Sequence, residues 1–341
     1  VPGPRSVALA ERLRRVECRN VTYLAPDWPV FWESASGATV TDVDGNVFLD
    51  VTAAFAVAGV GHANPAVVAA AREQVARLPH GMGDVHPTEL KVRLAETLAE
   101  VLPGGLGRAI FCSGGSEAVE AALKTAALKT GRPGALAFHG GYHGLGSGSL
   151  DATARKAFRA PFGGMLGRQT IHLPYPEARD GPAAGLLRTA ERMLTHPDTA
   201  AESVGAVLLE PIQGRGGTRI PPPDFLPGLR DLCDRLGLVM ILDEIYTGFG
   251  RTGRWFACEH DGVIPDVMCI GKAMGGGFPI SACVGRPDVM DAWPGSTGEA
   301  LHTSTFLGNP LGCAMALAAI GEMRRLDLPG RSARLGAWWL P

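Results

Sequence analysis

Charge is scarce in this chain. Only 19% of its 341 residues are charged, the formal net charge is −2, and no long run of lysine or arginine occurs. Gripping a nucleic-acid backbone takes clustered cations, so no nucleic-acid partner is expected. Cysteine occurs seven times, an odd number, and never as a C-x-x-C pair. That pattern disfavours a disulfide framework or a zinc site. Reduced thiols in the cytoplasm are expected instead, with Cys112, Cys269 and Cys283 in apolar, strand-like runs of the core. No apolar run attains the ~20 residues of a membrane span, so no membrane partner is expected. The opening VPGPRSVALAERLRR holds no apolar stretch long enough for a secretory signal. His80 and His86 have no third ligand at metal spacing, and no metal is expected.

Apolar residues are plentiful, at 46% of the chain, which suits a large core and is too many for disorder. The pattern centres on residues 239–279. Leu238 to Leu242 is a short, partly β-branched run that stops at Asp243, and Val267 to Ile270 is a second that stops at Gly271-Lys272. Both have the form of buried parallel strands. Open α/β sheets bind ligands at the carboxyl ends of their strands, so a carboxylate and a primary amine are expected together at that edge. Gly271 and Gly275 to Gly277 leave room for a flat ligand near the amine. A structural ion pair between Asp243 and Lys272 satisfies this much of the pattern equally well.

Elsewhere, GATVTDVDGNVFLDV alternates around Asp44-Gly45-Asn46 and predicts strand, turn, strand. Asn64-Pro65 opens a helix predicted over Ala66 to Leu78, and Glu89 to Val101 carries Leu90, Leu94, Leu98 and Val101 on one stripe. Arg108 to Cys112 predicts a strand, followed by Ser113-Gly114-Gly115-Ser116 and a helix over Glu117 to Lys129. Strand, glycine turn and helix start aim unpaired amides at an anion, although Gly-Ser before a helix also serves as a plain cap. This turn is neither G-x-G-x-x-G nor a Walker loop, and Gly271-Lys272 lacks the flanking residues of one. A buried strand is also predicted at Gly205 to Leu209, running into Glu210, while Ala135 to Phe138 leads into the loop from His139 to Gly144. Asp224 is placed to cap a helix with Phe225, Leu229, Leu232 and Leu236 on one face.

The segments DEIYTGFGRTG, GKAMGGGFPISACVG, FHGGYHG, EPIQG and HTSTFLGNPL follow one another here as in class III (subgroup II) aminotransferases, and the chain resembles that family over roughly residues 1 to 325. The resemblance implies an α/β chain of fold type I, with a large domain built on a mainly parallel seven-stranded sheet and an incomplete small α+β domain. Residues 1–60 and 319–341 would belong to the small domain and 61–318 to the large one. It implies pyridoxal 5′-phosphate as cofactor, held by Lys272 as a Schiff base, with Asp243 paired to the ring nitrogen. Gly115 and Ser116 would hold its phosphate, and Tyr142 and Ile245 would cover the two ring faces. Tyr246, where many relatives have Gln, would reach the phenolic oxygen, and His143 would support Asp243 from behind. Glu210 would border the substrate and hydrogen-bond or gate it, or else cap its own loop. Thr305 would donate to the phosphate of a partner's cofactor, which implies a homodimer with shared sites; a Ser/Thr turn ahead of Asn309-Pro310 is the plainer reading. The Thr52 to His62 segment and the loop from His80 to His86 would border the site; Phe55 and Val57 could touch substrate, although lone apolar residues are more often core.

The chemistry of that cofactor asks for these residue types. A buried carboxylate keeps a ring nitrogen protonated by Coulomb attraction, and a desolvated lysine sheds its proton near working pH. The implied activity is ping-pong transfer of an amino group from an ω-amino or basic amino acid to a keto acid such as 2-oxoglutarate, as in 4-aminobutyrate, acetylornithine and ornithine aminotransferases. Racemisation, aminomutation and decarboxylation use the same residues, and a non-catalytic cofactor-binding remnant is the other alternative. After Arg325 the resemblance ends, and the chain stops at Trp338-Trp339-Leu340-Pro341, short of the segment that completes the small domain in the family and often supplies an arginine for the substrate carboxylate. Two adjacent tryptophans there would expose unusual apolar area.

Overall fold

The computed structural model describes residues 1–196 and 200–340. Three short strands, β1 (Trp32–Ser36), β2 (Thr39–Asp42) and β3 (Val47–Leu49), form an antiparallel sheet, and the β2–β3 turn falls on Asp44-Gly45-Asn46 as expected. The remaining strands are β4 (Arg108–Cys112), β5 (Gly134–Phe138), β6 (Thr170–Leu173), β7 (Val204–Leu209), β8 (Val239–Asp243), β9 (Val267–Ile270) and β10 (Ser281–Gly285). They make a seven-stranded sheet in the order β4-β10-β9-β8-β7-β5-β6. Strands β5 to β9 pair in parallel, and β10 runs antiparallel to both of its neighbours, so the sheet is mainly parallel.

That topology brings the carboxyl ends of β4, β5, β7, β8 and β9 to one edge. Asp243, the last residue of β8, sits beside Cys269 in the register, and Lys272 follows β9 by two residues. Each strand shows why the edge is buried from both sides. Val239 and Ile241 face a cluster with Ala118, Ala121, Ala122 and Ala126 of the helix Gly115–Thr130, whose small side chains let it lie close to the sheet. Met240 and Leu242 face the opposite cluster, with Leu94, Leu98, Phe138, Phe225 and Leu229. Alternation at period two thus places apolar side chains on both faces, and covering helices exclude water from each.

Two of the helix starts expected from the sequence follow local chemistry, and one expected cap does not form. Asn64 and Asn309 each accept hydrogen bonds from the amides two and three residues on, ahead of Pro65 and Pro310. Asp224 does not cap the helix Phe225–Leu236; its carboxylate instead accepts from the Ala183 amide at 3.1 Å, so a tertiary partner has taken the oxygen that a local cap needs.

Residues Ala53 to Ala56 form a left-handed turn, with φ between 48° and 67° at four successive non-glycine positions. Such a turn costs roughly 1–2 kcal/mol per residue. Asp50 holds it: one oxygen accepts from the Thr52 amide and hydroxyl at 3.0 and 2.7 Å, the other from the Ala54 amide at 2.8 Å and lies 2.8 Å from His62 Nε2. Burial opposes its charge, but the hydrogen bonds led by His62 prevail and draw the Asp50 carboxyl down to about 2. The turn throws Phe55 outward, 72% exposed, so it is not the core residue its composition suggests.

The helix Leu328–Trp339 lies against the Gly250 to Gly253 turn, where both glycines have positive φ and leave no room for a side chain beside Pro329 and Ala333. Trp338 and Trp339 are each 77% exposed, as expected of that dipeptide. Among the described residues no helix is long and apolar enough to cross a membrane. Six of the seven cysteines are buried, including Cys112, Cys269 and Cys283; Cys18 is exposed.

Candidate active site

A cavity of about 900 Å³ opens at the carboxyl edge of the sheet, within the range of ~300–1,000 Å³ usual for small-molecule sites. Its wall contains Gly115, Ser116, Tyr142, His143, Glu210, Asp243, Ile245, Tyr246 and Lys272, so nearly all residues singled out from the sequence meet there. Thr305 does not; it is exposed in the turn before the helix Pro310–Arg325. No residue of 80–86 reaches the cavity either. That loop packs on the one holding Thr305, with the Thr303 hydroxyl donating to Asp84 at 2.6 Å and His80 5.3 Å from the Phe306 ring.

Asp243 is 4% exposed. One of its oxygens accepts from the Ile245 amide at 3.2 Å, and the other lies 2.8 Å from His143 Nδ1. His143 is itself buried and fixed by its amide, which donates to Thr153 Oγ1 at 2.9 Å. Burial opposes a charge on this imidazole, yet the hydrogen bond and the charge of Asp243 outweigh it, and His143 titrates above its ordinary 6.5. His143 thus backs Asp243 through a buried hydrogen bond, and the remaining acceptor capacity of the carboxylate is left for a donor in the cavity.

Lys272 sits at φ 46°, a left-handed conformation unusual for a residue with a β-carbon. Among the described residues its ammonium has no hydrogen-bond or ion-pair partner; it lies 5.4 Å from the centre of the Tyr246 ring. Burial draws the amine below 10.5, Asp243 and Glu210 pull the other way, and Arg215 adds to the lowering. An amine so placed is a competent nucleophile and base.

Glu210 spends both oxygens on the backbone, accepting from the Tyr142 amide at 3.0 Å and the Gly214 amide at 2.9 Å. Burial and the neighbouring Asp243 charge raise its carboxyl, against the stabilising pull of His143 and the two amides. It fastens two loops to each other while still lining the cavity.

At the start of the helix Gly115–Thr130 the first amides lack intrahelical partners. Ser116 Oγ lies 2.7 Å from Ser149 Oγ and accepts from the Gly146 amide at 2.9 Å. Gly144 is required here: at φ 128°, a β-carbon on it would come within 2.6 Å of Ser116 Cβ and 2.8 Å of its Cα, whereas one on Gly115 would meet the tip of Ile245, Cδ1 at 2.7 Å, which would have to swing aside. Hydrogen at Gly144 lets the loop after β5 close on the helix start.

Other cavity residues had no distinguishing mark in the sequence. Phe55 and Val57 arrive through the left-handed turn, and Phe278 and Ser281 through the connection from Lys272 into β10. Arg215 arrives through the turn after Gly214 and lays its guanidinium 4.4 Å over the Tyr142 ring. Glu244, next to Asp243 and fully buried, points away and anchors the amides of Ala257 and Cys258 at 3.0 and 2.8 Å.

The donor set fits a phosphorylated pyridine aldehyde. A buried carboxylate backed by histidine suits a protonated ring nitrogen, a desolvated amine suits an aldehyde, and a bare helix start with a serine hydroxyl suits a phosphate.

Comparison with known proteins points the same way. The family model described as Aminotransferase class-III matches residues 23–340, continuing past Arg325 where the recognisable motifs stop. The acetylornithine aminotransferase of Methanopyrus kandleri is 41% identical over 310 residues, 91% of this chain and 74% of that protein. Among solved structures, an (S)-enantioselective omega-transaminase from Thermomicrobium roseum superposes with a TM-score of 0.90 at 29% identity, covering 98% of this chain and 78% of that one. The ornithine aminotransferase from Toxoplasma gondii, a structure with partial occupancy of PLP at its active site, gives 0.84 at 31% identity, covering 97% and 74%.

Proposed function

The chain belongs to the class-III aminotransferases, enzymes that use pyridoxal phosphate, and from that premise we propose that it moves an amino group from an ω-amino or basic amino acid to a keto acid such as 2-oxoglutarate in two half-reactions. The observation that carries this reading is the meeting of Lys272 and Asp243 in one cavity at the ends of adjacent strands. The acetylornithine and ornithine enzymes among its relatives support a basic amino acid as donor.

Bound in the cavity, pyridoxal phosphate supplies an aldehyde and an electron-withdrawing ring, through which an amino group passes from one carbon skeleton to another. Each residue then has a definable task. The helix-start amides of Gly115 and Ser116 and the Ser116 hydroxyl take the phosphate. Asp243, hydrogen-bonded to His143, would hold a proton on the ring nitrogen. Tyr142 and Ile245 confine the ring from its two faces, and the Tyr246 hydroxyl donates to the phenolic oxygen. Lys272 would hold the cofactor covalently, and its amine would take and return a proton at the substrate's amino-bearing carbon. Residues 61–318 carry all of these groups except those expected from a partner.

We also infer a homodimer. Met82, Val85, Leu301 and Phe306 are each more than half exposed on the two loops that flank Thr305, a set that a second chain would cover while bringing Thr305 to its cofactor phosphate. Sedimentation at micromolar concentration should give twice the chain mass, and Phe306→Asp should shift it to the monomer; a wild-type monomer contradicts the inference. The unpaired cysteines support a cytoplasmic setting, to be checked by cell fractionation.

The test of function is a single half-reaction. Protein loaded with cofactor and mixed with ornithine, N-acetylornithine or 4-aminobutyrate should release one equivalent of carbonyl product per site and leave the cofactor in its amine form. Release of carbon dioxide, or inversion of the substrate with no carbonyl product, contradicts amino transfer.

A further inference from the structure

Arg215 and Lys272 are the two cations of the cavity wall without an internal partner among the described residues, whereas Asp243 bonds to His143 and the Ile245 amide and Glu210 to two backbone amides. Arg215 has no hydrogen bond or ion pair among the described residues, so the full fork of its guanidinium is unspent. Its neighbour in the same turn makes the contrast. Arg219 reaches Glu177 at 3.6 Å and has its counter-charge within the protein.

The guanidinium is nonetheless held. Gln213 and Arg219 exchange backbone hydrogen bonds at 3.0 and 3.1 Å, and the Gly217 and Thr218 amides donate to the Gly214 carbonyl at 3.1 and 3.2 Å, closing a tight hairpin with Arg215 near its tip. The hairpin is tied down by Gln213 Nε2, which donates to the His139 carbonyl at 2.9 Å, and by the Gly214 amide on Glu210. The guanidinium then rests 4.4 Å over the Tyr142 ring, with the Phe158 ring at 6.0 Å, contacts that keep it at the cavity wall without consuming its donors. A planar cation at a cavity wall, without an ion-pair partner among the described residues, matches a carboxylate that arrives with the substrate.

We propose that Arg215 is the specificity-determining residue of this site, gripping a carboxylate of the amino acid donor and of the keto acid acceptor while Lys272 is left for the chemistry. The assignment rests on the amino-transfer reading and narrows it to substrates that carry a carboxylate besides the reacting amine or carbonyl. Arg215 and Lys272 border the same space, which one small substrate fills.

Two acceptors of equal chain length separate the ideas, succinic semialdehyde with a carboxylate and butanal without one. Wild-type enzyme should favour the semialdehyde in kcat/KM. Arg215→Ala should cut that preference ~10- to 100-fold, mainly through KM for the semialdehyde, with Arg215→Lys restoring part of it. Calorimetry should show the same ~10- to 100-fold loss of affinity for succinate, a non-reacting ligand, in the cofactor-loaded Arg215→Ala protein. A preference and a succinate affinity within twofold of wild type overturn the proposal. So does an equal fall for both aldehydes, which marks Arg215 as mere support for Tyr142. Wild-type enzyme that transfers amino groups to both aldehydes without preference defeats the carboxylate grip alone. Wild-type enzyme that transfers none from any amine defeats the functional reading and the grip with it.

Discussion

Lys272→Ala is expected to lower kcat by ~100- to 10,000-fold, the range that a positioned acid–base group contributes, and to abolish covalent retention of the cofactor altogether. Among the described residues Lys272 is the only lysine on the cavity wall. Burial draws its amine downward from 10.5, so near neutral pH a larger share is unprotonated than for a surface lysine. None of the other four lysines, Lys91, Lys124, Lys129 and Lys156, lines the cavity, and Lys91 and Lys129 donate to the Gly83 and Asp288 carbonyls at 2.6 and 2.7 Å. Pre-steady-state mixing with a donor amine checks the rate. Dialysis should strip the cofactor from the variant and leave it on the wild type. The remaining contacts are unchanged by the substitution, so the variant should still fold with an unaltered far-ultraviolet spectrum.

The second large effect is expected from Asp243→Asn. The substitution keeps the shape of the side chain and removes the charge that holds a proton on the ring nitrogen, so kcat should fall ~100- to 1,000-fold, the worth of one pre-organised electrostatic partner. It also leaves the buried His143 without its anion. Stability of the cofactor-free protein should drop by about 1.5–3 kcal/mol, the worth of a hydrogen bond to a charged group. The pH dependence has a definite sign. His143 titrates above 6.5 in the folded chain because Asp243 overrides its burial. Its contribution is complete below about pH 6.5 and is lost as pH rises through the raised value. Denaturant titrations should therefore show the widest gap between wild type and Asp243→Asn near pH 6, and a narrower gap as pH climbs. A gap that widens with pH contradicts the pairing.

The sheet and its functional edge were legible in the sequence because buried parallel strands are short apolar runs that stop abruptly. Leu238 to Leu242 stops at Asp243, Val267 to Ile270 at Gly271, and Gly205 to Leu209 at Glu210, and the structure puts β7, β8 and β9 side by side with these ends together. Other features depend on partners far away in sequence. Asp224 has the local signature of a helix cap, but Ala183, 41 residues upstream, donates to its carboxylate. Ala53 to Ala56 gives no sign of a left-handed turn, since alanine disfavours that conformation and the hydrogen bonds that impose it come from Asp50. Phe55 followed that turn into the cavity and Arg215 followed its hairpin, so neither carried a local pattern to read. His143 was legible only through its loop, FHGGYHG, and its distance to Asp243 spans 100 positions of sequence.

The most direct measurement is reduction of the cofactor-loaded protein with borohydride, followed by proteolysis and mass spectrometry of the lysine-containing peptides. The cavity geometry predicts a single stable adduct, on Lys272, at a stoichiometry of one per chain. An adduct on Lys91, Lys124, Lys129 or Lys156, or none on Lys272 in protein saturated with the cofactor, contradicts it.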